Sequence, residues 1–113
     1  MIDGWITQLR KGLLEYCVLT VLSRGESYGY ELVQALKQVD ELAVSESTLY
    51  PILARLRDEK FLKVRDVPSD AGPPRRYFAL TALGKVRLAE MNTYWSLLGE
   101  ALARLQNLPR KES

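Results

Sequence analysis

Small hydroxyl side chains begin one amphipathic segment of the sequence, and arginines follow them. Residues 45–62 read SESTLYPILARLRDEKFL, with leucine or isoleucine at positions 49, 52, 53 and 56. That spacing is typical of one face of a helix. The other faces carry Ser47, Thr48, Tyr50, Arg55 and Arg57. Hydroxyl groups at a helix N-terminus, followed by arginines, suit phosphate oxygens. The segment is therefore either an ordinary solvated surface helix or a contact for a phosphate-rich partner.

Charge is distributed unevenly along the 113-residue chain, although its formal net charge is only +2. The segment 26–46 holds five acidic residues against one lysine. The segment 55–87 holds nine basic residues against four acidic ones. A local excess of positive charge indicates a nucleic-acid surface better than the total charge does. The alternative is that the charges are scattered by chance.

The composition argues against an enzyme, a metal site and a membrane protein. The chain has no histidine and one cysteine, Cys17, which excludes a tetrahedral zinc site and a histidine-based catalytic group. We find no nucleophile–base pair and no phosphate-binding loop, and we expect no cofactor. The longest apolar run, residues 13–22, contains Glu15 and is too short to cross a bilayer. With a single thiol and no sign of a cleavable signal segment, we expect a cytoplasmic protein.

Three helices come first in the sequence pattern. A broad apolar stripe predicts a first helix over residues 9–23, and a second helix over 28–39 follows Ser27 as its N-cap. Ser45 is the predicted N-cap of the third helix, in which Pro51 removes one backbone hydrogen bond. We therefore expect the third helix to bend or to have a loose first turn.

A hairpin follows the third helix. Alternating side-chain types predict half-buried strands over residues 62–67 and 75–80. The segment between them, PSDAGPP, favours a turn or a mobile loop. Arg75 and Arg76 face opposite sides of the second strand, so one is expected to face a nucleic acid while the other packs or pairs with an acid.

Thr81 is the predicted N-cap of a long last helix that ends near residue 105. At 1.5 Å per residue this helix is about 37 Å long. Its apolar residues are spaced three and four apart, as in a heptad seam. The predicted dimerisation residues are Leu88, Met91, Trp95, Leu98, Leu102 and Leu105. The rest of the chain is too small to cover so long a seam, so a second copy is expected to cover it. The alternative is that the seam packs only on the first helix of its own chain.

This order of elements predicts a mainly α (α+β) fold, a winged helix-turn-helix with a two-stranded β-wing and a long C-terminal dimerisation helix. The predicted units are residues 1–80, a DNA-binding domain, and residues 81–113, the dimerisation helix and tail. In such a fold the third helix enters the major groove and the wing lies along the DNA backbone.

The chain resembles the PadR family of transcriptional regulators, in particular its shorter members with a single C-terminal helix. Four features carry the resemblance in the family's order: YGYEL at 28–32, STLYPILARL at 47–56, GPPRRYFALTALG at 72–84, and Trp95. One departure is visible. The family often has glycine between the third helix and the first wing strand, where this chain has Lys60.

The resemblance implies a homodimeric, mostly repressing regulator of double-stranded DNA. It also implies release from DNA when a small phenolic or planar aromatic effector binds near the dimer interface. Two recognition helices one DNA turn apart would read a palindromic operator. The expected effector residues are Trp95 and Trp5, with the segment 2–9 closing over the site. For Trp95 the alternative is an ordinary packed tryptophan.

The expected DNA-binding residues lie at the start of the second helix, along the third helix and on the wing. They are Tyr28, Ser47, Thr48, Tyr50, Arg55, Lys63, Arg75 and Arg76. The alternative for Ser47 and Thr48 is simple capping, and for Tyr50 it is burial under the wing. Tyr30 is expected in the core, and Arg55 is expected to touch phosphate at most. The alternative function is a winged-helix protein-interaction adaptor that never reads DNA.

Overall fold

The computed structural model describes residues 4–112 as four helices and one antiparallel sheet. The helices are α1 (Gly4–Leu22), α2 (Gly29–Lys37), α3 (Glu46–Asp58) and α4 (Ala82–Gln106), with a 3₁₀ turn at Asp40–Leu42. The strands are β1 (Ser27–Tyr28), β2 (Leu62–Ser69) and β3 (Gly72–Leu80), in the spatial order β1-β3-β2. The predicted α+β winged-helix fold is confirmed. No helix among residues 4–112 is both long and apolar enough to cross a bilayer.

The core forms where the first three helices pack on one face of the sheet. Its most deeply buried side chains are Val18, Leu19, Leu32, Leu49, Leu53 and Leu56. Phe78 and Leu80 of β3 close this cluster from the sheet side. Burial of each such side chain contributes about 1.5–3 kcal/mol. One face of α3 is therefore held firmly against the rest of the fold, and its opposite face is left outside.

The start of α2 differs from its prediction. Ser27 is not the N-cap. It belongs to β1 and pairs with Phe78 of β3. Tyr28 precedes the helix instead, and its backbone N–H donates to Glu31 Oε1 at 3.1 Å. The two extended residues of β1 make the predicted two-stranded wing part of a three-stranded sheet. The first helix also begins at Gly4, earlier than predicted.

The third helix is capped as predicted and runs unbroken through its proline. Ser45 Oγ accepts the backbone N–H of Thr48 at 3.3 Å, and the Ser45 carbonyl accepts the N–H of Thr48 and of Leu49. The helix then continues through Pro51 to Asp58. The first turn is therefore not loose, and the alternative of a bend at Pro51 stays a prediction. One hydrogen bond is missing in the second turn, and burial of the apolar face outweighs that loss.

The end of α3 requires a left-handed residue. Lys60 has φ 72°, and it is the single non-glycine residue with positive φ among residues 4–112. Its N–H donates to the Arg57 carbonyl and the Phe61 N–H donates to the Leu56 carbonyl, both at 2.9 Å. This pair of bonds is the Schellman motif, which glycine commonly completes. A lysine here is sterically strained, and glycine would adopt this conformation without a Cβ clash.

The wing is a closed hairpin of β2 and β3. Leu62 pairs with Leu80, and Ser69 pairs with Gly72 at the far end. The predicted turn is therefore two residues long, and both strands extend further than predicted. The register shifts after Val67. The two prolines of β3 lie opposite this irregularity, where a missing N–H breaks no regular ladder bond.

The last helix begins against the wing and then extends away from the core. Thr81 Oγ1 accepts the N–H of Gly84 at 3.0 Å, as predicted for the N-cap, and donates to the Lys60 carbonyl at 2.6 Å. A Cβ on Gly84 would lie 2.1 Å from the Phe61 carbonyl oxygen, so only glycine allows this approach. Leu88 joins the common core. The molecule measures 69 × 35 × 22 Å because the rest of α4 projects beyond that core.

Candidate nucleic-acid interface

The outer line of α3 carries short side chains. Ser47, Pro51 and Asp58 are exposed, and Ala54 is half-buried. Their spacings of four, three and four place them on one line of the helix, opposite the buried leucines. The major groove of B-DNA is wide enough to admit an α-helix. Short side chains along its outer line let this helix approach another surface closely.

Two predicted contacts, Ser47 and Thr48, lie at the exposed start of α3. Ser45 Oγ lies 2.9 Å from Ser47 Oγ and donates to Thr48 Oγ1 at 3.2 Å. Capping by Ser45 is confirmed, and the two following hydroxyl groups remain accessible. Their contact with DNA stays a prediction.

A groove of about 510 Å³ separates α3 from the wing, and we call it the α3–wing groove. Its lining combines aromatic rings, prolines and guanidinium groups. The tyrosines and arginines are Tyr28, Tyr30, Tyr50, Arg57, Arg75 and Arg76. Among the described residues, no acidic side chain lines it. Flat rings beside cations suit a polyanion whose backbone carries phosphates and whose bases are planar.

Four of the eight predicted DNA contacts line this groove: Tyr28, Tyr50, Arg75 and Arg76. Tyr30 also lines it. The prediction that Tyr30 belongs to the core is wrong, because its side chain is 52% exposed. The chain changes from strand to helix between residues 28 and 29, and this change turns the ring outward.

Tyr28 organises the wing side of the groove. The Arg75 guanidinium carbon lies 4.7 Å from the Tyr28 ring centroid. Tyr77 of β3 packs edge-on against the same ring at 5.3 Å, and Tyr30 stacks on it at 6.4 Å. Cation–π contact restricts an arginine side chain while leaving its N–H groups available to donate. Arg75 is thus preorganised at the groove, and no pattern in the sequence indicated its aromatic support.

Tyr50 covers the start of α2 from the opposite side. A Cβ on Gly29 would lie 2.5 Å from Tyr50 Oη, so glycine at this position allows the Tyr50 ring to approach the start of α2 closely. Partial burial, and then the nearby Glu46 carboxylate, raise the pKa of the Tyr50 hydroxyl. That hydroxyl stays protonated at neutral pH and can donate a hydrogen bond into the groove.

Two further arginines of the groove are held by exposed acids. Arg76 Nε donates to Asp66 Oδ1 at 3.3 Å across the hairpin, and these two residues are direct strand partners. Arg57 donates to Asp58 Oδ1 at 3.2 Å. Exposed ion pairs of this kind are worth about 0–1 kcal/mol. A phosphate can therefore replace either carboxylate at small cost.

Two predicted contacts lie away from the groove. Arg55 forms an ion pair with Glu15 of α1. Lys63 lines a separate cleft of about 600 Å³ between the sheet and α4. Arg57, which was not among the predicted DNA contacts, lines the groove. The sequence could have indicated Arg57, because it follows Tyr50 by seven residues and the two side chains therefore lie on one line of the helix.

Comparison with known proteins decides the family. The model described as "Transcriptional regulator PadR-like family" matches residues 18–90. The chain belongs to the PadR-like family of transcriptional regulators. Its members are regulators and not enzymes; they bind DNA and are generally dimeric.

Solved PadR-like structures share this fold over nearly their whole length. A PadR family transcriptional regulator from Eggerthella lenta is 29% identical, with 94% of this chain and 92% of that chain covered at a TM-score of 0.84. A PadR-like transcriptional regulator from Bacillus cereus is 34% identical, with 90% and 99% covered at a TM-score of 0.77. The negative transcriptional regulator PadR of Bacillus subtilis is 31% identical over 80 residues, which are 67% of this chain and 43% of that protein. This PadR-like chain therefore spans less than half of that relative's length.

The first half of the predicted dimerisation seam packs within its own chain. Leu88 is buried in the core and Met91 packs against it. The Trp95 ring stacks on Tyr16 of α1, with ring centroids 5.7 Å apart, and the Tyr16 hydroxyl donates to Asn92 Oδ1. Trp95 thus contacts α1 while its side chain remains 37% exposed, and contact of these turns with a second copy stays a prediction.

The second half of the seam is uncovered. Leu98 is half-buried, and Leu102 and Leu105 are 49% and 63% exposed. Tyr94 and Leu97 add exposed apolar surface on a neighbouring line of the helix. The predicted seam missed these two residues because they fall outside its heptad positions. The apolar face of α4 is therefore broader than predicted.

The predicted effector residues are not in contact with each other. Trp5 is exposed near the start of α1, and no ring contact among residues 4–112 joins it to Trp95. Residues 2 and 3 of the segment expected to close over the site lie outside the described residues. An apolar groove of about 610 Å³ runs between α1 and α2, lined partly by Val21 and Val39.

Proposed function

We propose that this PadR-like chain is a homodimeric repressor that reads a palindromic operator with α3 and the wing, in the cytoplasm. The observation that supports this most strongly is the α3–wing groove. Three arginines and three tyrosines line it beside the exposed line of α3. Guanidinium groups supply affinity through phosphate contacts, and the first turns of α3 supply sequence choice at base edges.

Each part of the interface has a proposed role. Arg75 and Arg76 hold the DNA backbone from the wing, while Tyr28 and Tyr50 donate to phosphates from within the α3–wing groove. Ser47 and Thr48 meet phosphates or base edges at the helix start. The two α3 helices of a dimer lie one DNA turn apart, roughly 34 Å, which requires an operator with two-fold symmetry.

A double substitution, Arg75→Ala with Arg76→Ala, tests this role by fluorescence anisotropy on labelled duplex. We expect weaker binding and a smaller salt dependence, by about 0.9 in the slope of log K against log salt for each phosphate that the variant no longer neutralises. Arg110→Ala with Lys111→Ala removes the same charge from the exposed tail and serves as the control. If both double variants bind the duplex like wild type, Arg75 and Arg76 do not contact DNA. If wild type itself binds no duplex at low salt, the alternative of a protein-interaction adaptor is favoured.

The uncovered half of α4 supports a dimer. A second copy of α4 would bury Leu102 and Leu105 and would use the apolar groove between α1 and α2. Leu102→Lys places a charge in that contact, and Ala103→Lys places the same charge on another face of α4. In sedimentation equilibrium we expect the first variant to be monomeric and the second to remain dimeric. A monomeric wild type at micromolar concentration contradicts the proposal.

We place the effector site beside Trp95. Its ring already stacks on Tyr16 at one end of the uncovered seam, and a planar aromatic molecule could insert between the two halves of a dimer. Trp5→Phe leaves Trp95 as the single tryptophan, so its fluorescence reports the site. Saturable quenching by 4-hydroxybenzoate with matching release of DNA supports the proposal. Release of DNA without any change at Trp95 places the effector elsewhere.

A further inference from the structure

An arginine of α1 holds the backbone just before the recognition helix. Arg10 Nη2 donates to the Ala43 carbonyl oxygen at 2.6 Å, and Ala43 lies two residues before the N-cap Ser45. Within the described residues, the buried Nε of Arg10 has no hydrogen-bond partner. An unpaired buried donor is costly. An arginine kept at this cost is better explained by a role in placing the start of α3 than by stability alone.

A second polar contact joins α1 to the far end of α3. Glu15 lies five residues after Arg10, and its carboxylate pairs with the Arg55 guanidinium. The carboxylate side chain is mostly buried, whereas half of the arginine side chain is exposed. Arg55 is therefore directed toward α1 and away from the α3–wing groove. Two attachment points at opposite ends fix the direction of a helix, which one point cannot do.

The same helix also contacts α4. Tyr16, which follows Glu15 directly, stacks on Trp95 and donates to Asn92. α1 therefore contacts both α4, which carries the uncovered seam, and α3, which lines one side of the α3–wing groove. The contacts to both sides come from residues within two turns of α1.

We propose that Arg10 and the Glu15–Arg55 pair are positioning residues that set the direction of α3 relative to α4, and that Arg55 acts on DNA binding through Glu15 without touching phosphate. This inference rests on the proposed DNA-binding function. It replaces the expectation of a phosphate contact at Arg55 with a different role for the same residue. In a dimer, the direction of α3 relative to α4 sets how far apart the two recognition helices stand.

A charge exchange separates the two roles of Arg55. The variants are Glu15→Arg, Arg55→Glu and the two together, measured by anisotropy on a duplex that wild type binds, at several salt concentrations. Each single change places like charges together, and we expect about fivefold weaker binding or more. The double variant restores the pair, so we expect affinity within about twofold of wild type and an unchanged salt slope. Melting curves by circular dichroism confirm that each variant is folded at the assay temperature.

A phosphate contact predicts a different pattern. The double variant would then remain as weak as Arg55→Glu, with a salt slope smaller by about 0.9. That result overturns the inference while leaving the proposed function standing. Failure of wild type to bind any duplex overturns both together.

Arg10 is tested with its exposed neighbour as control. Arg10→Gln removes the bond to Ala43, and we expect about threefold to tenfold weaker DNA binding with an unchanged salt slope. Lys11→Gln removes the same charge from an exposed position and should change neither quantity. A smaller salt slope in Arg10→Gln would mean that Arg10 contacts phosphate, and equal affinity would mean that it does not position α3.

Discussion

Replacing Lys60 by glycine should stabilise the protein, because this residue carries the strain that ends α3. Its φ of 72° lies in the left-handed region, which costs a residue with a Cβ roughly 1–2 kcal/mol. Glycine avoids that cost but loses more entropy on folding. We expect a net gain of about 1 kcal/mol, which is a rise in Tm of about 4 °C for a chain of this size. Both backbone bonds of the Schellman motif, and the bond from Thr81 to the Lys60 carbonyl, are available to glycine.

Lys60→Ala is the matched control, because alanine removes the charge and the long side chain but keeps the Cβ. It should show little or none of the gain. Thermal unfolding by circular dichroism at one protein concentration compares the three proteins, since any dimerisation makes Tm depend on concentration. Equal stabilisation by alanine and glycine would refute the steric argument and point to charge repulsion at Lys60. No stabilisation by glycine would show that the end of α3 is not strained.

Other substitutions test contacts elsewhere in the fold. Gly84→Ala should destabilise the protein by about 3 kcal/mol or more, because the new Cβ would lie 2.1 Å from a carbonyl oxygen. A Cβ on Gly12 would meet no other part of the fold within 4 Å, so Gly12→Ala should stabilise the protein by about 0.5–1 kcal/mol in the same melting assay. A hydrogen bond from Arg65 lowers the pKa of the Glu26 carboxyl below its ordinary value. That pair therefore contributes stability above the ordinary carboxyl pKa and loses it as pH falls through the lowered value. The difference in Tm between wild type and Glu26→Gln should shrink on acidification from pH 7, and a constant difference would contradict the pairing. Burial raises the pKa of the Cys17 thiol, so its reaction with a disulfide reagent at pH 8 should be slow until denaturant is added.

The helices of this fold were predictable because burial on one face leaves a periodic pattern. Leu49, Leu53 and Leu56 are all fully buried, as their spacing indicated. Capping by Ser45 and Thr81 also followed from local chemistry, since each side chain satisfies a backbone donor within its own turn. Both kinds of signal depend on residues close together in the sequence.

The features that could not be predicted depend on residues far apart in the sequence. β1 is only two residues long, too short for any alternation, and it exists because Ser27 and Tyr28 pair with β3. The outward turn of Tyr30 follows from that strand. The pairing of Arg55 with Glu15 depends on how α1 crosses α3, which neither helix specifies alone. Of the residues that line the α3–wing groove, Arg75 and Arg76 were among the predicted DNA contacts and Arg57 was not.

The central claim, that this chain reads DNA sequence, is tested most directly by anisotropy on two labelled duplexes over a range of salt concentrations. One carries the region upstream of the protein's own gene, and the other carries the same bases in scrambled order. We predict tighter binding to the native duplex, weakening with salt while the preference persists. Equal affinity for both duplexes at every salt concentration, or no binding to either at low salt, would contradict the claim.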